Sequence, residues 1–163
     1  MARSQADIAN MALRIFLQHM GAAYDEARGY KRYDAKGFAE VREFFNGCCC
    51  YCGVPQLSKQ FAQDHLIPMN KAELGLHAWG NVVPACLDCN SKKQGKEWHA
   101  YLASCEGSFA AERYLLITDF IAKYKYAPDT NNLISIAGDL YEEVGAIAVA
   151  LIDAKVNRLR KSI

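Results

Sequence analysis

A chain of 163 residues, 52% of them hydrophobic, is long enough to bury one real core, and its length favours a single domain spanning 1–163. A formal net charge of +1 gives no global sign of a nucleic-acid partner, so any DNA-binding surface has to come from local clusters of Lys and Arg. No segment approaches the roughly 20 apolar residues of a membrane span, and the start MARSQADIANMALRIF has neither the apolar run nor the small-residue cleavage site of a secretory signal; a cytoplasmic protein with no membrane partner is expected.

In chain order, residues 4–20 place Ile8, Met11, Ile15 and Leu17 near helical spacing, which predicts an amphipathic helix stopped by Gly21. The next stretch, YDEARGYKRYDAK, is the most basic in the chain, with Arg28, Lys31, Arg32 and Lys36 interleaved with Tyr24, Tyr30 and Tyr33. A second helix is predicted over GFAEVREFFNG. Residues 48–85 lose the helical period and are cut by Gly53, Pro55, Pro68, Gly75, Gly80 and Pro84, so loops and short strands are expected there. Helical character returns in KEWHAYLAS, then in FAAERYLLITDFIAKYKY with Ser108 as its N-cap and an end before Pro128. A last helix carries Leu133, Ala137, Leu140, Val144, Ile147 and Leu151 on one face; it either completes the core or pairs with a second copy, and it ends in Lys155, Arg158, Arg160 and Lys161.

The seven cysteines are an odd number and fall mostly in two tight clusters, which suits metal ligation better than disulfides. Cys49 and Cys52 form one C-x-x-C pair and Cys86 and Cys89 a second. Four thiolates from two such knuckles satisfy the tetrahedral preference of Zn²⁺ and leave no open position, so a structural zinc is expected. Cys48 or Cys50 could stand in for Cys49, although the spacing favours Cys49. Cys105 lies apart on a helix and reads as a small core residue.

Between and beyond the knuckles lie Gln63-Asp64-His65-Leu66-Ile67-Pro68, Gly80-Asn81 and Cys89-Asn90-Ser91-Lys92-Lys93. In this order the segment from about 47 to 97 resembles the HNH family of ββα-metal endonucleases, in the zinc-knuckle subgroup similar to McrA-type restriction enzymes. The resemblance implies an α+β protein: a zinc-stapled ββα-metal core over 47–104, a helical N-terminal extension over 1–46 and C-terminal helices over 105–163. It also implies hydrolysis of DNA phosphodiesters to 5′-phosphate and 3′-hydroxyl ends.

The chemistry supports the same residues. A neutral histidine suits the deprotonation of water, which makes His65 the candidate general base. A hard cation such as Mg²⁺ or Mn²⁺ takes oxygen ligands, and Asp64 and Asn90 can supply them. Adjacent strand residues point to opposite faces; the resemblance implies that Asp64 and His65 serve the two sides of the scissile phosphate. It further implies that Asn81 holds the loop and orients His65. The third motif position is Asn90 where the literal motif has His, a departure that some nucleases of the superfamily share and that favours Mg²⁺ or Mn²⁺ over nitrogen-preferring metals. His77 reads as an ordinary loop histidine that could touch substrate.

For DNA contacts, Lys92, Lys93 and Lys96 are expected at the start of a helix after Asn90, where the helix dipole favours phosphate. Arg28, Lys31, Arg32 and Lys36 offer a second contact surface, with the tyrosines against sugars or bases. Double-stranded DNA is the expected partner, and a homodimer would suit cutting both strands. The rival from another class is a zinc-knuckle nucleic-acid-binding module without catalysis, which needs the cysteines and lysines but not His65.

Overall fold

The computed structural model describes residues 4–105 and 109–160. Among the described residues, six α-helices surround one small sheet: α1 (Gln5–Ala27), α2 (Ala35–Phe44), β1 (Phe61–His65), β2 (Val82–Cys86), α3 (Leu87–Lys93), α4 (Trp98–Ala103), α5 (Phe109–Tyr124) and α6 (Asn131–Arg160). β1 and β2 are antiparallel, with Asp64 opposite Val83 and His65 opposite Val82. β2 is buried throughout and runs directly into α3. This ββα unit sits at the centre of an α+β molecule.

Two apolar clusters hold it. One gathers Val41 of α2 and Phe45 at its C-cap, Val82 and Val83 of β2, and Ile117 and Phe120 of α5 around Tyr51 and Trp79. The other joins Leu13 and Leu17 of α1 to Leu133 and Ala137 of α6 through Leu74 and Leu76 of the β1–β2 loop. Each cluster mixes residues from before, within and after the central unit.

α1 departs from its sequence reading in two ways. Ser4 caps it with a reciprocal Ser4–Asp7 capping box, but the buried stripe is Ala9, Leu13, Leu17, Gly21 and Asp25, while Met11 and Ile15 are 45% and 49% exposed. The strict i, i+4 spacing of the smaller residues lets the helix lie close to both α6 and the β1–β2 loop. Gly21 does not stop the helix: a Cβ there would stand 2.3 Å from the carbonyl oxygen of His77, so the glycine serves a close approach.

α2 begins where Asp34 accepts from the backbone N–H groups of Lys36 and Gly37. The Ser108 cap and Lys161 lie outside the described residues. α6 is covered only in its first half. Leu133 and Ala137 are buried, whereas Ile147 and Leu151, expected on the same face, are 64% and 57% exposed; α1 begins opposite Gly145.

Candidate active site

The zinc knuckles come first because they fix the strand ends. Cys49, Cys52, Cys86 and Cys89 bring their Sγ atoms within 4.8 Å of one another. Cys52 and Cys86 are 3.8 Å apart, and Zn–S bonds near 2.3 Å set tetrahedral sulfurs about 3.8 Å apart. The donor set and its spacing therefore fit a structural zinc. The first knuckle is built by the backbone: the Gly53 N–H donates to the Cys49 carbonyl and the Cys49 N–H to that of Val54.

Among the three consecutive cysteines, the geometry groups Cys49 with the other three thiols. The Cys48 thiol donates to the Asn46 carbonyl, and the Cys50 backbone N–H binds Pro84. Hydrogen bonds from Cys50 and then Cys89 lower the Cys49 thiol, while burial first of all raises Cys50 and keeps it protonated. Cys49 is the member placed among the four.

Asp64, His65 and Asn90 line one cavity of about 560 Å³, with Arg14 of α1 and Gln94 at its sides. The end of β1 and the middle of α3 thus present all three to the same space. Asp64 is held on one oxygen: Oδ2 accepts from the Tyr51 hydroxyl at 2.7 Å and lies 3.2 Å from Nζ of Lys93. Among the described residues no hydrogen bond falls on Oδ1. Asp64 and Asn90 are hard oxygen donors, which fits Mg²⁺ or Mn²⁺.

His65 is half-buried, and its Nε2 lies 3.0 Å from Nδ1 of His77. Burial, followed by the positive fields of His77, Arg14 and Lys93, pushes its pKa down to about 3, so the ring is neutral at physiological pH. His77 is lowered as well, by burial and then by Arg32. His77 is therefore bonded directly to the candidate base, which the loop composition alone did not reveal.

Asn81 is buried, and its side-chain hydrogen bonds go to the loop backbone and not to the His65 side chain. Its Oδ1 accepts from the Ile67 N–H at 2.8 Å, and its Nδ2 donates to the carbonyls of Ile67 at 3.0 Å and Leu76 at 2.7 Å. It therefore ties the exit of β1 to the far side of the loop. Gly80 before it has φ +90°, and a Cβ there would meet Tyr126 at 2.5 Å.

One of the expected phosphate contacts, Lys93, needs correction, and so does the helix-start placement of Lys92. Lys93 is fully buried, with Nζ donating to the His65 carbonyl at 2.7 Å besides pairing with Asp64. A lysine one turn after the buried Cys89 on α3 has to point inward, and this i, i+4 relation was the available signal. Lys92 and Lys93 close α3 rather than open a helix, so the dipole argument does not hold for them. Lys92 and Lys96 are exposed beside the knuckle cavity of Tyr51, Cys52 and Cys89.

Arg28 is likewise a structural residue. It pairs with the buried Asp25 at 2.5 Å and donates to the carbonyls of Trp79 and Tyr124. Tyr30 and Tyr124 stack on Trp79, and Tyr33 packs on it edge-on, so these tyrosines are core residues and not contacts for sugars. Lys31, Arg32 and Lys36 remain exposed. Arg14, which the sequence reading passed over, lines both the His65 cavity and the adjoining groove of about 790 Å³ between α1 and β1. Its signal was that it lies off the buried stripe of α1, on the face shared by Asp7, Asn10 and Gln18.

An antiparallel strand pair that runs into a helix, carries Asp-His at its first exit and Asn on the helix, and gathers two cysteine knuckles at its ends is consistent with an HNH nuclease core. Residues 49–100 match the family model described as HNH endonuclease. The chain is also 25% identical over 97 residues to YoqL, a candidate HNH endonuclease derived from the SPbeta prophage of Bacillus subtilis (strain 168); the alignment covers 53% of this chain and 40% of that relative. The helices α1, α2, α5 and α6 lie outside residues 49–100.

Proposed function

We propose that the chain is an endonuclease that needs a divalent cation and hydrolyses phosphodiester bonds of double-stranded DNA. The observation that carries this reading is the meeting of Asp64, His65 and Asn90 at one cavity inside the HNH segment. His65 takes the proton of the attacking water, and its neutral ring is the form that can do so. Arrival of the phosphate anion offsets the cationic neighbours that depress its basicity. Asp64 and Asn90 hold Mg²⁺ or Mn²⁺, which when bound offsets the charge growing on the phosphoryl and leaving oxygens.

The remaining residues position these. Lys93 fixes β1 against α3, Asn81 braces the loop, and the zinc at Cys49, Cys52, Cys86 and Cys89 holds the strand ends. Arg14, Arg32, Lys31, Lys92 and Lys96 supply phosphate contacts, which place the duplex but carry no sequence information. Two copies pairing through the uncovered end of α6 would bring one site to each strand. Restriction or prophage DNA processing in the cytoplasm is the setting this activity suits.

Nicking of supercoiled plasmid that requires Mg²⁺ or Mn²⁺ and stops with EDTA tests the reading. A zinc-loaded protein that binds DNA and never cuts it would support the non-catalytic zinc-knuckle module instead.

A further inference from the structure

α1 passes the candidate catalytic residues with one face turned to them. Over roughly two turns, Asn10, Met11, Arg14, Ile15 and Gln18 line the groove of about 790 Å³ that also holds His65. Asn10 and Arg14 continue into the adjoining cavity of Asp64 and Asn90, so the helix walls the space in which the three candidates meet.

The outward face of a helix is ordinarily polar and merely solvated, and this one departs from that in two ways. Met11 and Ile15 are 45% and 49% exposed although they are large and apolar, and both line the groove. Apolar side chains kept at a charged cleft suit contact with the methyl groups and edges of bases. Arg14 is exposed and forms no ion pair among the described residues, while its positive field reaches the His65 ring. The acids that could neutralise it are engaged elsewhere: Asp64 holds Lys93 and Tyr51, and Asp7 caps α1 with Ser4. An unpaired guanidinium beside the candidate base matches a phosphate, whose oxygens it can bind two at a time.

We infer that this face of α1 is the second wall of the substrate site: Arg14 donates to the phosphate that is cut at His65, and Asn10 and Gln18, one turn to either side, contact the nucleotides before and after it. Helix positions four apart rise about 6 Å, which spreads the three side chains along a strand instead of gathering them on one phosphate. The inference rests on the nuclease reading, because that reading brings the strand to the groove. It gives a substrate role to a helix outside residues 49–100.

The test compares wild type, Arg14→Gln, Arg14→Lys and Gln18→Ala in Mg²⁺-dependent cleavage of a duplex library of random sequence, and in binding of a short fluorescent duplex in EDTA across a salt series. Arg14→Gln should lower kcat about 100-fold, the effect of losing one donor to a reacting oxygen. It should also lower the slope of log affinity against log salt by about 0.9, one phosphate's share. Arg14→Lys should keep the salt slope and recover only part of kcat, since it lacks the planar fork. Gln18→Ala should shift the base preference on one side of the cut roughly tenfold. Unfolding midpoints should stay at the wild-type value, as both residues are exposed. A wild type that cuts, with an Arg14→Gln protein that cuts as fast and keeps the salt slope, overturns the α1 wall and leaves the nuclease standing. An unchanged cut profile in Gln18→Ala overturns the flanking contact. A wild type that never cuts overturns both the nuclease and the wall.

Discussion

Nε2 of His65 and Nδ1 of His77 lie 3.0 Å apart, so in the neutral pair one ring donates a proton to the other. If His65 is the donor, its Nδ1 keeps the lone pair and faces its task as a base, with His77 fixing the tautomer. His77→Ala should then lower kcat about 10- to 100-fold with a smaller change in KM. His77→Gln, which keeps an acceptor, should recover part of the loss. A loss confined to KM would make His77 a substrate contact and not a positioning residue.

Lys93 is buried between the His65 carbonyl and the Asp64 carboxylate. Removing one partner of a buried ion pair leaves the other uncompensated, at a cost of about 3–5 kcal/mol. Lys93→Met should therefore lower the unfolding free energy of the zinc-loaded protein, read from denaturant titration, by an amount in that range. A change below about 0.5 kcal/mol, the usual size for a surface site, would mean that the lysine can swing out to solvent.

The zinc assignment separates neighbouring cysteines. Cys86→Ser should lose the metal and the cooperative unfolding transition, because a structural zinc contributes directly to folding. Cys50→Ala should keep one zinc per chain by elemental analysis, as Cys50 is packed in the core beside the cluster. Zinc retained by Cys49→Ser and lost by Cys50→Ala would reverse the register.

Acid should weaken the fold through the paired histidines. Both have folded-state pKa values below the unfolded one near 6.5, so protons bind the unfolded chain first as pH falls. Their contribution is present above about 6.5 and is lost progressively towards the His65 value of about 3. Urea midpoints taken between about pH 7 and pH 5, with zinc content checked at each, should fall for wild type and fall less for His65→Phe. Equal slopes would show that the histidines do not set this dependence.

The exposed end of α6 gives a test of pairing. Ile147, Leu151 and Ile152 continue the seam that α1 covers further up the helix. Sedimentation of wild type should show a dimer, and the double variant Ile147→Glu, Leu151→Glu a monomer. A monomeric wild type at high concentration contradicts the pairing.

Much of the central unit was legible because its chemistry dictates spacing. Two C-x-x-C pairs, Asp-His at a strand exit and Asn after the second knuckle are local patterns, and they meet in the structure as their order implies. Tertiary approach was not legible. The periodicity of α1 pointed to Met11 and Ile15, whereas close packing selected Ala9, Leu13 and Gly21. Charge composition placed Lys93 and Arg28 at the surface, while a buried carboxylate partner drew each inside. Nothing local marks His77 as bonded to His65, because the contact spans a loop closed by Asn81.

The measurement that bears most directly on the account is nicking and linearisation of supercoiled plasmid by wild type and His65→Ala, each confirmed to be folded and zinc-loaded, with Mg²⁺, with Mn²⁺ and with EDTA. Cation-dependent cutting by wild type that disappears in His65→Ala is the predicted result. Equal cutting by the two proteins, or none by wild type that still binds DNA, would contradict His65 as the base of a nuclease.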